Sequence, residues 1–173
     1  MKGDDVTRNL GLEEALDVAM DAELKARSFY AQAAVAVQDP RGKDLLSRLA
    51  AFEQHHYEKL AELSRSLQET GQFIEYETYT LARFEPFRGT GETAGTPFDD
   101  LQDEAGILTK AIEDEKIAKE HYRALAAETD DPAGQAMFKK LAQEEDMHRR
   151  ILEDEFFALS NQGVWGRSGM YGE

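Results

Sequence analysis

Leu49-Ala-Ala-Phe-Glu53-Gln-His-His56-Tyr-Glu-Lys-Leu60 and Leu141-Ala-Gln-Glu-Glu145-Asp-Met-His148-Arg-Arg-Ile-Leu152 are one segment written twice, ninety-two residues apart. The same offset places Glu23 on Glu115, Tyr30 on Tyr122, Asp39-Pro40 on Asp131-Pro132 and Gly42 on Gly134. From Leu16 to Leu60 against Leu108 to Leu152, fourteen of forty-five aligned positions are identical, without a gap. Shared helical composition produces matches of Ala and Leu. It does not produce both Glu-x-x-His sequences, both tyrosines and both Asp-Pro turns in register. What the repeat preserves is Glu, then Glu-x-x-His, then the same set again. Four carboxylates and two imidazoles so ordered are what a pair of metal ions inside a four-helix bundle requires.

Each repeat reads as a helical hairpin. A short polar lead (residues 1–9) precedes a helix from about Gly11 to Val37. Asp39-Pro40 makes the turn, because proline cannot continue a helix and restricts the residue before it. A second helix runs from about Gly42 to Thr70, with Gly71 as its stop. Residues 71–98 form an aromatic, Gly- and Pro-containing insert with Phe73, Tyr76, Tyr79, Phe84 and Phe87. Thr96-Pro97 with Asp99-Asp100 predicts the start of a third helix reaching about Thr129, and Asp131-Pro132 turns into a fourth that ends near Leu159. The tail, 161–173, carries Trp165 and has no readable period. The expected organisation is one domain over residues 1–173: hairpin 1 (about 11–70), crossover (71–98), hairpin 2 (about 99–160) and tail.

The length of the insert selects the topology. With hairpins related by a two-fold axis, helix 3 must start at the end opposite to where helix 2 stops, roughly 40 Å away for a helix near thirty residues. About 28 residues at ~3.3 Å each span that distance. The fold class is therefore all-α, a ferritin-like four-helix bundle with one long crossover; an up-down-up-down bundle needs only a short loop there.

On helix 1 the positions Leu12, Leu16, Ala19, Glu23, Ala26, Tyr30, Ala33 and Val37 step by three and four, the buried seam of a bundle helix. Helix 2 continues it with Leu49, Glu53, His56, Leu60, Leu63 and Leu67. The second half repeats the pattern through Leu108, Ala111, Glu115, Ala118 and Tyr122, then Leu141, Glu145, His148 and Leu152. Glu23 and Glu53 lie about fifteen residues either side of Gln38, as Glu115 and Glu145 do about Asp130, some 22 Å from each turn. All six ligand-type residues thus meet at mid-bundle. Buried anions cost several kcal/mol each, and four together would repel or take up protons. Two divalent cations balance four carboxylates, and oxygen and imidazole ligands suit iron, with manganese or zinc as substitutes.

The pattern Glu23…Glu53-x-x-His56…Glu115…Glu145-x-x-His148 resembles the di-iron site of the ferritin-like superfamily. Within it, Glu23-Leu-Lys-Ala-Arg-Ser-Phe-Tyr30 is similar to the first helix of rubrerythrins. The resemblance implies that Glu53 and Glu145 bridge two irons, that Glu23 with His56 completes one and Glu115 with His148 the other, and that Tyr30 and Tyr122 hydrogen-bond the terminal carboxylates. It implies a di-iron oxidoreductase of oxidative stress that reduces hydrogen peroxide or oxygen. Rubrerythrins have an additional glutamate where this chain has Ala118, so the symmetric six-ligand set is closer to bacterioferritin. A rubredoxin domain requires cysteine, which this chain lacks, so electrons are expected from a separate donor protein. The alternatives are a ferroxidase or iron-storage subunit, and a bundle whose metal is structural.

Composition bounds the rest. A formal net charge of −15 repels phosphate backbones, so nucleic acid is not an expected partner. The absence of cysteine removes disulfides, Cys-ligated zinc and iron–sulfur clusters together. No apolar run is long enough for a membrane span and no signal peptide is evident, so a cytoplasmic protein is expected; a homodimer is expected separately. The methionines are too few and scattered to argue for haem. His55 reads as a surface or outer group and His121 as a non-ligand, while Glu113, Glu120 and Glu144 read as solvated. Glu62, aligned with Asp154, is a candidate for iron uptake, and the aromatic insert is expected to cover the bundle or form a dimer interface.

Overall fold

The chain's computed structural model describes residues 3–87 and 103–166, with side chains from residue 11 onward. Four helices account for most of it: α1 Gly3–Ala36, α2 Pro40–Thr70, α3 Glu104–Glu128 and α4 Pro132–Gln162. A 3₁₀ turn, Leu81–Arg83, interrupts the crossover, and no strand occurs among the described residues. Helices α1 and α2 pack along their lengths, as do α3 and α4, while α1 meets α3 only sparsely.

The two Asp-Pro turns work as the repeat suggests. The Asp39 carboxylate accepts the Arg41 N–H at 2.8 Å and the Asp131 carboxylate accepts the Gly134 N–H at 2.9 Å, each capping a helix that opens on proline. At the far ends Gly71 and Gly163 adopt the left-handed conformation, with φ of 69° and 66°, and close the last turns. Helix boundaries differ from expectation at three places. Helix α1 begins at Gly3 rather than near Gly11, and one interior glycine costs only ~1 kcal/mol. Helix α3 is capped by Asp103, whose carboxylate accepts the Gly106 N–H at 2.6 Å; the start expected at Thr96 to Asp100 lies outside the described residues. Helix α4 continues to Gln162, three residues past Leu159, until Gly163 stops it.

The described part of the crossover, to residue 87, runs along α2 and α4. Phe73 begins it against Phe138 near the start of α4. Lys140 then donates to the Tyr76 carbonyl at 2.5 Å, and the far end is held by Arg48 to the Phe84 carbonyl (2.7 Å) and by the Phe87 N–H to the Ser47 carbonyl (2.9 Å). Glu104, opening α3, accepts the Gln38 N–H at 3.2 Å, so α3 starts at the end where α2 starts. This is the ferritin-like connection. Among the described residues no helix is long and apolar enough to cross a membrane.

The aligned glycines Gly42 and Gly134 each admit an aromatic ring from outside the repeats. A Cβ on Gly42 would lie 2.6 Å from the Trp165 indole, and one on Gly134 would lie 2.5 Å from the Phe73 ring. Trp165 is fully buried, its indole N–H donating to Glu104 Oε2 at 2.7 Å, so the tail that showed no period is pinned across the hairpin-1 turn. The apolar core falls into two parts. One, with Val37, Leu46, Leu49, Phe52, Leu108 and Leu152, lies toward that turn; the other, with Leu16, Leu60, Leu63, Leu125, Phe138 and Leu141, lies toward the opposite end.

Gly42→Ala is expected to cost ~1–3 kcal/mol by overpacking against the immobile Trp165, and Gly134→Ala less, because the half-buried Phe73 can give way; urea unfolding of both variants checks the order. The Arg41 guanidinium and backbone hold the Asp39 carboxyl below the usual carboxylate range. A carboxyl lowered in the folded state contributes stability above its unfolded value of about 3.9 and loses it as pH falls through the folded value. Asp39→Ala is therefore expected to lose ~1 kcal/mol at neutral pH. Asp39→Asn keeps the cap but flattens the acid limb of stability, which unfolding curves between pH 7 and 3 would show.

Candidate metal centre

Between the two apolar halves, each helix contributes ionisable groups to one point. Glu23 comes from α1, Glu53 and His56 from α2, Glu115 from α3, and Glu145 and His148 from α4. All six are at most 4 % exposed. They form two tetrads, Glu23–Glu53–His56–Glu145 and Glu53–Glu115–Glu145–His148, and in each the ligand atoms lie within 4.8 Å of one another. Glu53 and Glu145 belong to both. One turn of helix separates each from its histidine, so Glu-x-x-His places carboxylate and imidazole side by side on the buried face.

The imidazole Nδ1 atoms point into the tetrads. His56 Nδ1 lies 3.3 Å from Glu23 Oε2, 3.3 Å from Glu53 Oε2 and 3.1 Å from Glu145 Oε1. His148 Nδ1 lies 3.2 Å from Glu53 Oε1, 3.2 Å from Glu145 Oε2 and 3.5 Å from Glu115 Oε1. The two rings stack at 5.9 Å with an interplanar angle of 25°. Phe52 sets its ring perpendicular to both, 4.9 Å from His56 and 4.4 Å from His148.

Tyr30 and Tyr122 bond the terminal carboxylates, and they do so across the repeat. The Tyr30 hydroxyl donates to Glu115 Oε1, and the Tyr122 hydroxyl donates to Glu23 Oε1. Each tyrosine thus ties α1 to α3 at the level of the centre.

Electrostatics shows what the arrangement lacks. Burial pushes the Glu23 and Glu115 carboxyls well above the usual range, against the pull of the neighbouring imidazoles. Glu53 is desolvated too, but its contacts with His148 and His56 outweigh burial and hold it low. Glu145 also ends low: burial and Glu53 push it up, and the two imidazoles outweigh them. Burial alone would lower both histidines, yet the carboxylates around them raise both well above the ordinary imidazole value. Protons are one way to neutralise the cluster; cations are the other.

The donor atoms fit cations. His56 Nδ1, His148 Nδ1, Glu53 Oε1 and both Glu145 carboxylate oxygens are fully buried and have no hydrogen-bond partner among the described residues. Such atoms are rare in a folded interior unless an ion or water completes them. His56 makes the case sharpest. Its Nε2 is 2.9 Å from Glu144 Oε2, which places the ring proton there and leaves Nδ1 as a lone pair facing three carboxylates. A second proton in that gap or a cation between them makes that attractive, and a cation does so with the imidazole left neutral.

A family model described as Rubrerythrin matches residues 2–64, the stretch holding Glu23, Glu53 and His56. Over that stretch the chain is similar to rubrerythrins. A solved structure of a hypothetical protein from Pyrococcus furiosus is similar to it at 24 % identity and a TM-score of 0.64, covering 89 % of this chain and 93 % of that one. That likeness concerns the fold. No curated protein matches. The matched stretch and the buried Glu/His cluster together are compatible with a di-metal site.

Glu144 is a correction. Expected in solvent, it is 1 % exposed and accepts the Tyr76 hydroxyl at 2.5 Å and the Tyr79 N–H at 2.9 Å, besides facing His56. It lies on α4 beside a ligand, and the crossover, which has no period to read, covers it. Its aligned residue is Phe52, an apolar side chain at what would otherwise be an outer position, and that mismatch was the available signal. His55 does not join the tetrads; it packs on Tyr79 at 4.7 Å and Phe84 at 5.2 Å. His121 lines the cleft between α1 and α3, while Glu113 and Glu120 are exposed. Glu62 pairs with Lys59 at 3.2 Å and Asp154 is exposed, so neither reaches the centre.

Tyr30→Phe and Tyr122→Phe each remove a hydrogen bond to a buried carboxylate. Each is expected to lower the stability of chelator-stripped protein by ~1–3 kcal/mol. Thermal unfolding of the two variants and of the double variant measures it.

Proposed function

We propose that this chain is a di-iron oxidoreductase that reduces hydrogen peroxide, drawing electrons from a separate protein. The observation that carries the reading is the pair of tetrads sharing Glu53 and Glu145. Two ligand sets with common carboxylates would hold two ions close together, as two-electron chemistry at an O–O bond needs. When bound, the iron pair supplies the two electrons of H₂O₂ + 2H⁺ + 2e⁻ → 2H₂O.

The chain's own residues divide the remaining work. Glu53 and Glu145 would bridge; Glu23 with His56, and Glu115 with His148, would terminate the two positions. Burial and the adjacent carboxylates raise the phenols of Tyr30 and Tyr122 well above their ordinary value, so both stay protonated at neutral pH and hold a proton at the edge of the centre. Access comes from the sparse contact between α1 and α3, where a cleft of about 630 Å³ reaches Glu23, Glu53, Glu115 and Glu145. Ala22, Ala26 and Ala118 line it, and their small side chains keep it open. A longer side chain at Ala118 would project into this space.

A second reading, a ferroxidase that oxidises Fe(II) with oxygen, is favoured by one observation. The six-residue set is symmetric about the repeat, with no further carboxylate at Ala118, which is closer to the bacterioferritin pattern than to that of rubrerythrins.

Chelator-stripped protein reloaded with Fe(II) and mixed with peroxide under anaerobic conditions separates these readings. The expected result is peroxide consumption much faster than by free Fe(II), with one peroxide per two irons. Glu53→Ala should slow it by more than the ~10–100-fold typical of outer-shell losses. Rates equal to free Fe(II) in both proteins would overturn the proposal. Oxidation by oxygen alone, with peroxide ignored, would favour the ferroxidase, and the mass in solution would tell a storage shell from a small oligomer.

A further inference from the structure

The repeat is obeyed by the ligand pairs 23/115, 53/145 and 56/148 and by the tyrosine pair 30/122. It is broken immediately beside the centre, at 52/144, where one half has phenylalanine and the other glutamate. Both side chains are buried, so the break is an interior one.

Its consequence falls on the outer nitrogen of each histidine. His56 Nε2 meets Glu144 Oε2 at 2.9 Å. Glu144 is itself fixed by two groups of the crossover, the Tyr76 hydroxyl at 2.5 Å and the Tyr79 N–H at 2.9 Å. A carboxylate so anchored orients the imidazole, sets its tautomer and raises its basicity toward a cation on Nδ1. His148 has none of this. Its Nε2 is buried without a hydrogen-bond partner among the described residues, and the Phe52 ring stands perpendicular to it at 4.4 Å. An N–H there has no acceptor, so neither its tautomer nor its basicity is supported.

Resting on the di-metal reading above, we infer that the two metal positions are unequal: the one completed by His56 is the tighter and fills first, because the crossover holds Glu144 against it as a positioning residue. A symmetric scaffold is thereby given an order of loading. Outer-shell carboxylates of this kind alter metal affinity about 10–100-fold, which sets the expected gap between the two steps.

Co(II) titration of the chelator-stripped full chain, followed by visible absorption and calorimetry, tests this independently of turnover. The expected result is two steps separated by about 10–100-fold. The tight step should survive in His148→Ala and vanish in His56→Ala. Glu144→Gln should bring the tight constant toward the loose one. Tyr76→Phe removes one donor and no charge; it should shift the same constant in the same direction by less, and it serves if Glu144→Gln fails to fold. Two equal steps in the unaltered chain, a tight step persisting in His56→Ala, or a folded Glu144→Gln with both constants unchanged would each overturn the inference. Equal steps in a protein that still reduces peroxide would defeat this inference alone. Unequal steps without peroxide reduction would leave it standing and defeat the activity; no Co(II) uptake at the centre would defeat both.

Discussion

Six ionisable side chains share one dry point in the middle of the bundle, and the rest of the structure is arranged around that constraint. Removing a carboxylate from water costs several kcal/mol even after relaxation. The four glutamates and two histidines cannot turn outward, because each occupies a buried seam position and the seams are apolar on either side of the cluster. Leu16 and Ala19 precede Glu23 on α1, Leu49 precedes Glu53, and Leu60 and Leu63 follow His56, all of them buried. The apolar halves fix the helices, and the helices hold the charges together. Neutralisation must then come from something added to the cluster, and the unpartnered nitrogen and oxygen atoms face inward, where it would sit.

Much of this was legible in the sequence, because the information was periodic or duplicated. The seams are read from spacing, the hairpins from paired Asp-Pro turns, and the crossover from the distance it must cover. The convergence of Glu23, Glu53, His56, Glu115, Glu145 and His148 follows from equal distances to the turns. What was not legible lies where periodicity fails. Glu144 sits one position before Glu145, rotated about 100° from it on the helix, and in so acidic a chain it resembles any solvated glutamate. It is buried because Tyr76 and Tyr79 cover it, and they belong to a segment with no repeat partner. Trp165 was opaque for the same reason.

The glycines Gly42 and Gly134 show how such aperiodic pieces attach to a periodic frame. As sequence they look like turn residues following Asp-Pro. In the fold they are the points where a helix has no side chain, so that Trp165 from the tail and Phe73 from the crossover can lie flush against it. The two halves offer the same notch and receive different rings. Asymmetry thus enters through the covers, and the frame keeps its pseudo-symmetry; the mismatch of Phe52 with Glu144 at aligned positions carries that difference into the interior.

The covers also give the centre two unlike sides. Toward α2 and α4 it is sealed: Phe52 stands across both imidazoles, Phe84 packs on Phe52 at 4.7 Å, and Tyr76 and Tyr79 close over Glu144. Toward α1 and α3 the alanine-lined cleft leads to the carboxylates, with Tyr30 and Tyr122 in its walls. The histidines therefore face the dry side and the glutamates with their phenol donors the accessible one. This polarity suits a centre whose imidazoles stay fixed while small molecules arrive at the oxygen ligands. Carboxylates can change their mode of coordination by rotating, whereas His56, gripped from behind by Glu144, cannot move without breaking a buried hydrogen bond. A reaction at this centre would proceed on the cleft side, and the crossover that seals the opposite face would hold the geometry against which it moves.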